Sequence, residues 1–124
     1  MKQKTITAAI GDDHPRLRRS MINLLALLNC SVILEAGTGK ELIEKINADT
    51  LPDICLVDIN MPGIDGYQTT TLIKNSWPSI KVLVYSMNDQ QKSMDKAFEA
   101  GADGYLVKPS TIDDIEKAIH RLIP

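Results

Sequence analysis

Short apolar runs alternate along this chain with longer stretches in which apolar residues return every three or four positions. The runs are Ile6-Thr7-Ala8-Ala9-Ile10, Val32-Ile33-Leu34, Ile54-Cys55-Leu56-Val57, Val82-Leu83-Val84-Tyr85 and Tyr105-Leu106-Val107. Each is strand-sized and nearly continuous in apolar character, the pattern of a parallel strand buried on both faces. The stretches between them predict helices. The first begins near Pro15, whose fixed φ suits a first turn, and buries Leu17, Met21, Leu24 and Leu28 while Arg16, Arg18 and Arg19 face water. The second carries Leu42, Ile43 and Ile46 among Glu41, Glu44 and Lys45. Asp65 and Gln68 form a capping-box pattern that opens the third, which buries Leu72 and Ile73 and ends before Trp77-Pro78. Met94, Ala97 and Phe98 mark the fourth, and Thr111 caps a fifth that repeats Ile112, Ile115, Ile119 and Leu122 on one face. Strand and helix alternate five times, so the fold class is α/β: a parallel sheet whose right-handed crossovers lay helices on both faces.

The 124 residues make one domain, 1–124, large enough to bury a core without disulfides or a structural metal. A formal net charge of -2 gives this segment no electrostatic hold on nucleic acid. No apolar run approaches a membrane span, and the Met1-Lys2-Gln3-Lys4 start leads into a strand rather than the apolar core of a signal peptide. The two cysteines read as small buried hydrophobes in a reducing compartment, which makes the cytoplasm the expected location.

The chemistry lies where the strands end. Asp12 and Asp13 follow the first strand, Asp58 the third, Ser86 the fourth and Lys108 the fifth. In a doubly wound sheet these ends share one edge, the usual place for a ligand. Three carboxylates gathered there repel one another, so without a counterion their proton affinities should rise. A hard divalent cation relieves the repulsion, and oxygen donors suit Mg²⁺. A carboxylate beside that ion can attack a phosphoryl group and become an acyl phosphate, a role for which Asp58 is the candidate. Lys108 adds positive charge for the phosphoryl oxygens, and Ser86 adds a hydroxyl donor. Taken singly, Asp58 reads equally well as a turn residue and Ser86 better as an ordinary strand-end serine; one of Asp12 and Asp13 could serve only as a turn or cap, but the pair is more than a cap needs. Lys108 alone, between an apolar strand and a proline, is an odd place for a solvated charge. The combination carries the functional reading.

That combination, with Val57-Asp58-Ile59-Asn60-Met61-Pro62-Gly63 and Gly101-Ala102-Asp103-Gly104-Tyr105-Leu106-Val107-Lys108-Pro109, resembles the receiver domain of bacterial two-component response regulators over essentially the whole chain. The resemblance implies the flavodoxin-like strand order 2-1-3-4-5 and a histidine kinase as phosphodonor. It implies Asp58 as phosphoacceptor, with Asp13, Asp58 and the backbone carbonyl of Asn60 holding Mg²⁺, or Mn²⁺ in its place, and Asp12 acting through water. Lys108 would pair with the phosphoryl group beside a cis peptide to Pro109, and Ser86 and Tyr105 would form a switch pair that alters the surface of the fourth helix, fifth strand and fifth helix. The protein would then be a phosphoacceptor switch rather than a dedicated enzyme. Asn60 and Asn88 fall at positions that govern phosphate lifetime in this family, and Met87 replaces the usual small residue, with bulk expected to crowd the pocket mouth. Gly11-Asp12-Asp13-His14-Pro15 gives the chain a NarL/LuxR flavour, which implies a DNA-binding output domain absent from this chain, control of transcription, and a homodimer linked to phosphorylation. His14 invites a reading as phosphodonor or ligand, but beside Pro15 it reads rather as a loop and helix-start residue; Arg16, Arg18 and Arg19 read equally as a solvated face or as part of a kinase-docking surface. A stand-alone receiver and a phosphorylation-independent binding module are the alternatives. A haloacid dehalogenase-type phosphatase would need a second aspartate where Asn60 stands, and a flavodoxin would not place Asp12-Asp13 against a flavin phosphate.

Overall fold

Ten elements alternate through residues 5–124, which the computed structural model describes; the Met1-Lys2-Gln3-Lys4 start lies outside the described residues. They are β1 (Ile6–Gly11), α1 (Pro15–Leu27), β2 (Cys30–Ala36), α2 (Gly39–Lys45), β3 (Ile54–Asp58), α3 (Gly66–Ser76), β4 (Lys81–Ser86), α4 (Gln91–Glu99), β5 (Gly104–Val107) and α5 (Ile112–Leu122). The strands are parallel and ordered β2-β1-β3-β4-β5. Among the described residues no helix is long and apolar enough to cross a membrane.

The two-residue period of a strand divides the core into two layers. Ala9, Cys55, Val57, Val82 and Val84 meet Leu42, Ile73 and Ala97 from α2, α3 and α4. Ala8, Ile10, Ile54, Leu56, Leu83 and Tyr85 face Leu25 of α1 and Ile115 and Ile119 of α5. Small residues thus line the three-helix side of the central strands and larger ones the two-helix side. The helix starts follow local chemistry: Asp65 with Gln68 and Thr111 with Asp114 close reciprocal capping boxes, and Thr38 accepts the Glu41 amide.

Periodicity misplaced several faces. Leu17 is 50% exposed, and Leu25, not Leu17, is the fully buried residue of α1. Leu72, Phe98 and Ile112 are also exposed, whereas Ile73, Ala97 and Ile115 are buried as expected and Thr69 and Thr70 join Ile73 on the buried face of α3. The two threonines can be buried in α3 because Thr69 Oγ1 donates to the Asp65 carbonyl at 2.8 Å and Thr70 Oγ1 to the Gly66 carbonyl at 2.7 Å. Arg18 does not face water: its guanidinium donates to the Asp12 carbonyl at 2.6 Å and to Glu35 at 3.0 Å.

Candidate functional site

Strand register brings the strand-end groups level. Gly11 of β1 pairs with Val57 of β3, so Asp12 and Asp58 continue side by side. Asp58 pairs with Tyr85, and Ser86 with Val107, which puts Ser86 and Lys108 on the same edge. The Lys108 amide donates to the Ser86 carbonyl at 2.7 Å, and the Lys108–Pro109 peptide is cis.

Lys108 is central to the geometry. Its Nζ lies 3.5 Å from Asp12 Oδ2 and 3.7 Å from Asp58 Oδ2, with the side chain only 17% exposed. The ammonium also stands 4.1 Å from the centre of the Tyr85 ring, a cation–π contact. Tyr85 donates its hydroxyl to Asp12 Oδ2 at 2.7 Å. Tyr85 is therefore part of the site, although its sequence neighbours suggested only a strand residue. The available signal was one aromatic hydroxyl at the end of a wholly buried run, where it has to find a partner.

The carboxylates do not behave alike. Burial pushes Asp12 upward, but the His14 amide, the Tyr85 hydroxyl and the Lys108 charge outweigh it and hold Asp12 below the ordinary carboxylate range. This corrects the expectation that crowding raises every carboxyl. Asp58 does move up, chiefly through burial and further through Asp12 and Asp13, against the pull of Lys108 and the Asn60 amide. Asp13 is the most open of the three, yet its Oδ1 is buried and accepts no hydrogen bond. His14 Nδ1 lies 2.9 Å from that oxygen without the alignment of a hydrogen bond. Ligand atoms from Asp12, Asp13, His14 and Asp58 all fall within 4.8 Å of one another. An orphaned carboxylate oxygen in such a cluster fits a divalent cation.

The remaining groups sit around this centre. Ser86 is buried and its Oγ accepts the Asn88 amide at 3.1 Å. The Tyr105 hydroxyl donates to the Asn88 carbonyl at 2.7 Å, so one loop residue is held from both sides. Asn60 is exposed, and its amide donates to Asp58 Oδ1 at 3.3 Å. Met87 is 77% exposed, so its bulk extends into water. Pattern reading also missed Gly66. A Cβ there would stand 2.3 Å from the Asp58 carbonyl oxygen and 2.6 Å from Ile59 Cα, so only glycine lets α3 start against the backbone that carries Asp58.

A doubly wound 2-1-3-4-5 sheet with an acidic cluster and a lysine at its carboxyl edge defines the receiver class, and the chain belongs to the response regulator receiver domain family, whose model matches residues 8–120. Response regulators are signalling proteins rather than dedicated enzymes. Among curated relatives the chain is 35% identical over 121 residues to the nitrate/nitrite response regulator protein NarL of Escherichia coli K12, covering 96% of this chain and 55% of that protein. It is 34% identical over 118 residues to the response regulator protein VraR of Staphylococcus aureus, covering 94% and 56%. The chain thus spans about half the length of the curated relatives it matches. Of solved structures, the signal receiver domain of the putative response regulator NarL from Mycobacterium tuberculosis aligns with TM-score 0.87 at 34% identity over 96% of each chain. The NarL/LuxR character read from the motifs agrees with these relatives.

Proposed function

We propose that this chain is a phosphorylation-driven switch in which Asp58 accepts a phosphoryl group from the phosphohistidine of a histidine kinase. The observation that carries the reading is the Lys108 ammonium held between Asp12 and Asp58 at 3.5 and 3.7 Å, where it can follow charge from a carboxylate to a phosphoryl oxygen. An Asp58 oxygen attacks phosphorus, the phosphorus–nitrogen bond breaks, and its electron pair stays with the donor imidazole. Asp13, Asp58 and the Asn60 carbonyl are the residues to hold Mg²⁺ or Mn²⁺, with Asp12 engaged through water. When bound, that ion neutralises charge on the phosphoryl oxygens.

The switch is built on Asn88. Ser86 Oγ accepts the Asn88 amide, which leaves its hydroxyl hydrogen to donate to a phosphoryl oxygen. Phosphate brings about -1.5 to -2 charges and strong acceptors. If Ser86 turns towards them it releases the Asn88 amide, the loop shifts, and the Tyr105 hydroxyl loses its 2.7 Å hold on the Asn88 carbonyl. The ring is then free to move, and the surface of α4, β5 and α5 changes with it. In a regulator of the relatives' length that surface would control a DNA-binding output domain and hence transcription.

The test is intact-protein mass after incubation with acetyl phosphate and Mg²⁺, beside Asp58→Asn and a chelator control. One added phosphoryl group, absent from both controls, is expected. No adduct under conditions that label an established receiver would turn the reading to a phosphorylation-independent binding module.

A further inference from the structure

We propose that the His14 imidazole is a ligand of the same cation site and shifts its preference from Mg²⁺ towards ions that accept nitrogen donors. The inference rests on the divalent-cation reading of the site and concerns which ion that site takes.

His14 occupies the N-cap position of α1 in extended backbone, but its side chain makes no capping bond to the helix; the ring turns instead to the carboxylates, with Nδ1 in hydrogen-bond contact with Asp12 Oδ1 at 3.3 Å. The backbone amide is committed instead to Asp12 Oδ1 at 3.0 Å, which anchors the residue beside the carboxylates. The ring then lies with Nδ1 2.9 Å from Asp13 Oδ1 and 3.3 Å from Asp12 Oδ1. Two donors on adjacent corners of an octahedron with bonds of about 2.1 Å are about 3.0 Å apart. The 2.9 Å separation from the unpartnered Asp13 oxygen matches such an edge, and an ion bound there would replace the Nδ1 contact with Asp12 and release any proton on Nδ1 to solvent. The side chain is 58% exposed, so the ring can adjust without disturbing the core.

Carboxylate, carbonyl and water suit Mg²⁺, whereas imidazole suits Co²⁺, Ni²⁺ and Zn²⁺ and rises in worth along the divalent first-row series. A site with one imidazole among its oxygens gains selectively for those ions. The orphaned Asp13 oxygen supplies hard character, so Mg²⁺ still binds.

The experiment is calorimetric titration of tag-free protein with MgCl₂ and with NiCl₂, comparing the parent with His14→Ala. Both are carried on a His120→Ala background, because the chain has two histidines and the second would otherwise take Ni²⁺ itself. Thermal melts in chelator establish that each variant is folded. The Ni²⁺-to-Mg²⁺ affinity ratio should fall about tenfold or more in His14→Ala. Electron spin-echo spectra of Mn²⁺ on the parent should carry an imidazole nitrogen modulation that His14→Ala lacks. An equal ratio in parent and variant, with no nitrogen modulation in the parent, overturns the role of His14 while leaving Mg²⁺ binding and the phosphoacceptor reading intact. A parent that binds no divalent ion overturns both.

Discussion

Removing a single oxygen from Tyr85 tests how the site is held before any ligand arrives. Tyr85 and Asp12 are both essentially without solvent exposure, and the bond between them is 2.7 Å long. Tyr85→Phe keeps the ring, its packing against the α1 and α5 layer and its place under the Lys108 ammonium, so the loss is confined to one hydrogen bond to a charged acceptor. Such bonds are worth about 1.5–3 kcal/mol net, and leaving the acceptor buried keeps the loss from falling below that range. Water cannot easily replace the hydroxyl. The Lys108 ammonium already stands 3.5 Å from Asp12 Oδ2, and moving it fully to Asp12 would strip Asp58 of its own counter-charge. The expected destabilisation is therefore about 2 kcal/mol in chelator, or a fall of about 1 M in the urea midpoint for a slope of about 2 kcal/mol/M. Equilibrium unfolding of the parent, Tyr85→Phe, Asp12→Asn and the double variant supplies both the loss and its coupling. A loss within about 0.5 kcal/mol, or a coupling near zero, would show that the Tyr85–Asp12 bond does not stabilise the site.

Gly66→Ala should cost about 1–3 kcal/mol through overpacking against Asp58 and Ile59, and should slow acetyl phosphate labelling of Asp58 more than an equally destabilising core variant does. Arg18→Ala should lower stability by about 1–2 kcal/mol, because the Asp12 carbonyl and Glu35 lose donors at 2.6 and 3.0 Å; a melting temperature matching the parent would return Arg18 to the solvated face. Cys30 and Cys55 should resist a thiol reagent at pH 8 in the native protein and react fully in urea, since both are buried. Burial pushes the Cys55 thiol up to about 12. Its neutral form therefore contributes stability that is complete below the unfolded thiol's pKa of about 8.5 and is lost as pH rises from there towards the folded value. Relative to Cys55→Ala, the parent should lose about 2 kcal/mol between pH 8 and pH 10, read from urea midpoints; parallel pH profiles would contradict this.

The alternation of apolar runs with helical periods was enough to place every strand and helix, because burial on both faces of the central parallel strands leaves few polar positions inside the runs. The turn chemistry at Pro15, Asp65 and Thr111 acts within a few residues, so it too is visible in one dimension. The same logic made Asp12, Asp13, Asp58, Ser86 and Lys108 legible as a set, since each directly ends a run whose carboxyl end the fold class assigns to one edge. Which way each helix turns is decided elsewhere. Leu17 and Leu72 have the right spacing but lie outside, because a helix's buried stripe depends on where neighbouring elements pack, and threonines bonded to their own backbone could fill the space in α3. The electrostatics are likewise tertiary. Tyr85 reaches Asp12 across 73 positions of chain, and Arg18 and Lys108 come to Asp12 from opposite ends of the sequence. The sequence by itself determined the elements and the strand-end groups that share one edge, because those depend on local pattern and strand order. Only the tertiary structure decided which carboxylate is stabilised, which stays strained, and that His14 stands among them, because charge interactions depend on distances that no local pattern contains.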